Sequence, residues 1–223
     1  MSYPQGRWIC TSWLGFAAVV AALALTPAQA SAPSSVHDFT YDHGTYATSL
    51  IDGGDGSFYG TTYQGGARGY GTVFKLTHGV LTTLHSFNRT DGANPLGALL
   101  PASDGKLYGT TGGGGAQDFG TVFVITRDGT FNHLYDFDGT HGYLPTARLI
   151  QDSDGSFYGT TQGGGTAAGG NGTVFRITGN GAITTLHSFS GGDGFQPESG
   201  LTQTADGTFY GTTYAGGTGG AGT

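Results

Sequence analysis

Residues 96–137 read LGALLPASDGKLYGTTGGGGAQDFGTVFVITRDGTFNHLYDF. Four short runs stand out in them, 96–102, 106–111, 120–126 and 130–137, separated by stretches that each contain Asp and Gly. In the third run Thr121, Phe123 and Ile125 alternate with Val122 and Val124, the period of two that a strand imposes on its faces. Asp104-Gly105 lies between Leu99-Leu100 and Leu107-Tyr108. Gly accepts positive φ there and the Asp carboxylate bonds the amides that follow it, so the first two runs read as a hairpin. No segment after Ala30 has a helical period, and the chain is expected to be all-β.

The same runs recur along the chain. Tyr-Gly-Thr-Thr begins at Tyr59, Tyr108, Tyr158 and Tyr210, at spacings of 49, 50 and 52. Gly-Thr-Val-Phe begins at Gly71, Gly120 and Gly172, and the aromatic fourth run ends at Phe39, Phe87, Phe137 and Phe189. A four-stranded unit of about 50 residues has the size of a propeller blade, kelch blades being about 50. The order of features is also kelch-like, with a Pro-led first strand after Pro95, Pro145 and Pro197 at the axis and the Phe-ended strand outermost. The expectation is a β-propeller-like array of four-stranded antiparallel blades, with units at about 40–89, 90–139, 140–191 and 192–223. A β-solenoid is the competing architecture, but its coils repeat over about 20 to 29 residues. Val36 to Phe39 reads as an unaccompanied fourth strand, and Gly222-Thr223 as the opening of another third strand, so the array is read as an incomplete piece of a longer protein.

Residues 1–30 differ from the rest and read as a signal peptide. Arg7 precedes an apolar run from Trp13 to Leu25, and Ala28-Gln29-Ala30 supplies the small residues a signal peptidase needs, so the expected location is secreted or at the cell surface. The single cysteine, Cys10, lies inside that segment, which leaves residues 31–223 without a disulfide, a thiol nucleophile or a thiolate metal site. Eight basic residues against 15 acidic ones give a net charge of −7. Nucleic acid and anionic lipid both demand a cationic face, so neither is an expected partner, and no membrane insertion of the mature chain is expected.

The unit Gly-Thr-Val-Phe, Leu-His-Ser-Phe, Asp-Gly, Pro, then Asp-Gly-x-x-Tyr-Gly-Thr-Thr and Gly-Gly resembles the GloVer tandem-repeat proteins over about residues 36–223. These are exported bacterial proteins of the choice-of-anchor kind. The resemblance implies a surface-displayed array with no established enzymatic activity. Residues 31–223 hold no Pro-rich spacer or hydrophobic tail of the anchoring kind.

Several groups of residues invite a chemical reading. The Asp-Gly turns at Asp55, Asp104, Asp154 and Asp206 bring a second carboxylate close at Asp52 and Asp152, but the calcium-binding EF-hand pattern needs a bidentate Glu and the only Glu is Glu198. They read as hairpin turns. Ser103 and Ser153 make these turns similar to the Asp-box of sialidase-like propellers; a hydrolase would also need an arginine cluster and an acid pair at the axis, where only Arg148 falls. His37, His85 and His187 share one repeat position with Tyr135, which points to an amphipathic packing role. His43, Asp91, His141 and Asp193 share a second, between the Phe and the Pro, and would ring one face. The loops after Tyr-Gly-Thr-Thr vary most, and their Tyr63, Gln64, Arg68, Tyr70, Gln117, Asp118, Phe119 and Gln162 are suited to stacking on and hydrogen-bonding a glycan.

From these residues the chain is expected to be a module for binding, adhesion or display, with a polysaccharide or surface protein as its extracellular ligand, and without metal, cofactor or catalysis. The alternative is an extracellular propeller-type glycoside hydrolase or lyase, motivated by the Asp-box-like turns and the His/Asp ring.

Overall fold

In the computed structural model the described residues are 19–21 and 35–223. The proposed signal peptide lies outside them except for a three-residue strand, β1 (Val19–Ala21), which pairs antiparallel with β2 (Ser35–Asp38). The fourth-type strand at the N-terminus is therefore accompanied, and its Val20↔His37 register matches Val73↔His85 in the next sheet.

Three four-stranded meanders follow. They are β3 (Thr45–Asp52), β4 (Phe58–Gln64), β5 (Thr72–Thr77) and β6 (Val80–Ser86); β7 (Leu100–Pro101), β8 (Leu107–Thr111), β9 (Thr121–Ile125) and β10 (Phe131–Asp136); and β11 (Ile150–Gln151), β12 (Phe157–Thr161), β13 (Thr173–Ile177) and β14 (Ile183–Ser188). A two-stranded sheet, β15 (Thr202–Gln203) and β16 (Phe209–Tyr210), ends the series. Each sheet is antiparallel throughout and lies within one repeat unit. The architecture is the β-propeller-like array of blades, and separate sheets replace the continuous ladder a solenoid would have.

The first strands of the later units are shorter than the sequence suggests, two residues in β7 against the run 96–102. Eight positions separate Gly92 from Leu100, whereas seven separate Gly44 from Ile51. The extra residue lifts the chain off the ladder until Leu100 meets Tyr108, and only the Ala93↔Gly113 bridge survives upstream.

The core lies between sheets. Phe74, Phe123 and Phe175 are fully buried on the third strands, and each receives the edge of a ring ending the preceding fourth strand. Those contacts are Phe39–Phe74, Phe87–Phe123 and Phe137–Phe175, with centroids 5.1, 5.3 and 5.3 Å apart, within the range where edge-to-face pairs are favourable. The Gly of Tyr-Gly-Thr-Thr makes room for this ring, since a Cβ on Gly109 would lie 2.4 Å from Phe123. Tyr108–Phe157 and Tyr158–Phe209 stack the second strands of adjacent sheets at 4.0 and 4.4 Å. Among the described residues no helix is long and apolar enough to cross a membrane.

Candidate binding face

Antiparallel meanders put the connections of each blade on two rims. The Asp-Gly turns and the third-to-fourth-strand turns fall on one; the variable loops after Tyr-Gly-Thr-Thr and the crossovers to the next blade fall on the other. The two groups of candidate binding residues therefore share a rim. Backbone bonds join them directly: Gly66, Gly115, Gly165 and Gly217 in the variable loops donate to the carbonyls of Tyr41, Arg89, Gly139 and Gly191 in the crossovers, at 2.7 to 3.0 Å.

The repeated threonines hold this rim in place. The second Thr of Tyr-Gly-Thr-Thr contacts the Thr of Gly-Thr-Val-Phe at every unit, Thr62–Thr72, Thr111–Thr121, Thr161–Thr173 and Thr213–Thr223, with hydroxyl separations of 2.8 to 3.0 Å. The latter hydroxyl donates in turn to the backbone carbonyl of His43, Asp91, His141 or Asp193. The crossover glycine must have no side chain for this to happen. Gly142, at φ +112°, would place a Cβ 2.1 Å from the Thr161 hydroxyl.

The two repeat positions that the sequence treats separately meet in space. His85 Nε2 and Asp91 Oδ2 are 3.1 Å apart, and His187 and Asp193 2.9 Å apart. In the third occurrence of this contact the Tyr135 hydroxyl lies 3.0 Å from His141 Nδ1, which is 2.9 Å from Asp138. In the first, the His37 and His43 rings are 6.1 Å apart. His85 also stacks on Phe131 of the next blade, with centroids 3.7 Å apart and planes at 6°. Burial pushes the His85 imidazole below its usual value, with Asp91 opposing that shift. Tyr135 is pushed up to about 12 by burial and by the Asp138 carboxylate, and Asp193 is held at about 2 by the Ser190 amide and hydroxyl.

The other candidates divide. Gln64 at the end of β4 and Arg68 and Gln117 on the loops are exposed, whereas Tyr70 and Phe119 are half-buried against the inter-sheet cores, and Phe119 meets Tyr143 at 5.5 Å. Asp118 closes its own loop by accepting from the Gly114 amide at 2.9 Å and pairs with Arg89 of the crossover at 2.9 Å. The half-buried Gln162 donates to Thr146 at 3.2 Å. Four tyrosines absent from the sequence-based set stand exposed on this rim, Tyr41, Tyr46, Tyr143 and Tyr214. Their signal was available, because each lies between two fixed motifs of the repeat.

The opposite rim accounts for the Asp-Gly turns. Asp55, Asp104, Asp154 and Asp206 each accept from the amide two residues on, at 2.8 to 3.1 Å. The remaining oxygens of the first three meet Tyr59, Tyr108, and Ser156 with Arg176. The carboxylates are engaged as hairpin turns engage them. No group of three or more His, Cys, Asp or Glu side chains is arranged to hold a metal ion among the described residues.

A family model described as the Gloeobacter/Verrucomicrobia repeat matches residues 12–223. No curated protein matches the chain. Among solved structures, a protein of unknown function from Bacteroides thetaiotaomicron aligns over 97% of this chain and 55% of its own, at 13% identity and TM-score 0.54. A puromycin-hydrolysing peptidase from Mycobacterium tuberculosis aligns over 77% and 24%, at 15% identity and TM-score 0.52. A protein described as a gluconolactonase aligns over 77% and 57%, at 13% identity and TM-score 0.52. The chain thus spans between about a quarter and three fifths of the length of these structures, and at such identities the likeness is one of fold.

Proposed function

Because the chain belongs to the Gloeobacter/Verrucomicrobia repeat family, whose unit here serves as a common frame for varied loops, we propose that it is an exported, non-catalytic binding module. Its ligand surface is the rim formed by the variable loops and crossovers. The observation that carries this reading is that both sets of candidate residues meet there on a frame fixed by repeated Thr–Thr contacts. The ionisable pairs on the rim already have structural partners: His85 is stacked between blades, and Asp91 and Asp193 cap their own crossovers by accepting from the Asn88 and Ser190 amides. Export follows from the leader-like composition of residues 1–30.

A panel of immobilised polysaccharides and bacterial surface proteins, probed with the protein made without residues 1–30, tests the reading. Retention of the protein, with no release of reducing ends from any polysaccharide, is the expected result. Turnover that disappears in Asp91→Ala or Asp193→Ala would replace the binding module with a hydrolase or lyase.

A further inference from the structure

One position on this rim is strained in every unit. The residue two after the crossover glycine has left-handed φ whatever its identity: +56° at Tyr46, +56° at Asn94, +57° at Leu144 and +54° at Gln196. A side chain bearing a Cβ is disfavoured there, and glycine is not. Thirty glycines take positive φ elsewhere among the described residues, so this repeat uses glycine freely where only the backbone matters. Retention of four different side chains at the strained position indicates that the side chain itself is required.

The backbone of this residue is held from both sides in the last three units. Asn94, Leu144 and Gln196 donate to the carbonyl closing the preceding variable loop, at Tyr70, Phe119 and Asn171, over 2.8 to 2.9 Å. Their own carbonyls accept from the first residue of the next variable loop, at Gly112, Gln162 and Tyr214, over 2.9 to 3.1 Å. The side chains then run from unit to unit. Asn94 Nδ2 donates to the Tyr63 carbonyl at 2.9 Å, a Leu144 methyl would lie 3.3 Å from a Cβ on Gly112, and Gln162 Nε2 reaches Glu198 at 3.5 Å. The result is a continuous arc just upstream of the first strands.

Phenols stand at the two ends of this arc, at Tyr46 with Tyr63 and at Tyr214, and amides at Asn94, Gln162 and Gln196 lie between; no Lys or Arg occupies either position in any unit. Phenol rings stack on the C–H faces of sugars, and amides pair with hydroxyls in both directions. We propose that the arc is a track for a linear, neutral oligosaccharide, with the strained residues as its contact points. This rests on the binding reading above and adds a ligand class and a location to it.

The strain supplies an unusual test, because relieving it and removing the contact are the same mutation. In Tyr46→Gly and Gln196→Gly the Tm is expected to rise by about 2–4 °C, since the left-handed residue is now glycine. Affinity electrophoresis in soluble mixed-linkage β-glucan, xyloglucan and galactomannan, with polygalacturonate as the anionic control, is expected to show retardation by at least one neutral polymer. The double variant should lose at least tenfold of that affinity while Lys106→Ala, exposed on the opposite turn rim, retains it. Unchanged retardation in the better-folded double variant overturns the track and leaves the binding module standing. Binding to a surface protein or to polygalacturonate alone also overturns the track, and failure to bind anything on either panel removes both readings.

Discussion

The two rims of these sheets obey the same repeat period of about 50 residues, yet they use acidic residues differently. On the turn rim the Asp carboxylate makes the same bond in every unit, to the amide two residues ahead. On the loop rim the contact is conserved in place and varied in chemistry, as His85–Asp91, Tyr135–His141 and His187–Asp193. A turn that must reverse the chain in two residues admits few solutions, so it repeats. A contact between two side chains six residues apart can be met by any complementary pair, and that freedom leaves the loop rim open to specialisation.

Both rims depend on the layer of rings between them, so the largest effect is expected there. Phe123 is fully buried, with Phe87, Phe131 and the bare Cα of Gly109 against it. Phe123→Ala should cost about 3–5 kcal/mol, read as a fall in the urea midpoint, and should loosen both rims together. Proteolysis of only one rim in that variant would mean that the rims do not share a frame.

A smaller effect, confined to one rim, is expected at Asp104. Its carboxylate accepts from the Lys106 amide at 3.0 Å and from the Tyr108 hydroxyl at 3.0 Å, but the side chain is partly exposed. Asp104→Ala should cost about 1 kcal/mol by chemical denaturation, and Asp104→Asn should recover part of that because an amide oxygen can still accept. The loop rim should keep its amide-exchange protection. Loss of protection at Asp91 or Asp118 would show that the rims are coupled through the strands.

The sheets were legible because period, turn residues and aromatic placement agree at each level. The exceptions have local causes. The first strands shrink to two residues because one extra residue follows Gly92, Gly142 and Gly194 compared with Gly44. The pairing of His85 with Asp91 needs the crossover to fold back beside the fourth strand, which no spacing of six announces. Asn94, Leu144 and Gln196 each precede a proline, a setting that favours extended backbone. Their left-handed φ accompanies an amide and a carbonyl that are each taken by a different variable loop, which no local pattern in the sequence announces. Tyr70 and Phe119 of the variable loops are half-buried, each packed against an inter-sheet core, a placement that the variability of the loops does not announce.

The smallest effect asks whether the loop-rim contacts are interchangeable. Replacing His85 and Asp91 by the pair of the third occurrence, Tyr and His, should leave the double variant within about 0.5 kcal/mol of the parent, although His85→Tyr and Asp91→His alone each lose more; a coupling of about 0.5 kcal/mol or greater is expected from residues in contact. The same variants carry a pH signature. Burial holds the folded His85 below its usual value, so the folded state favours the neutral ring. That contribution is complete above about pH 6.5 and is lost as the pH falls through the lower, folded value. The parent Tm should therefore drop more steeply than that of the double variant between pH 7.5 and 5. Asp193, held at about 2, does not titrate in that window. Equal slopes would show that the stack of His85 on Phe131 is indifferent to charge. In that case the variation between units would reflect loose packing alone, with no matched pairs to explain.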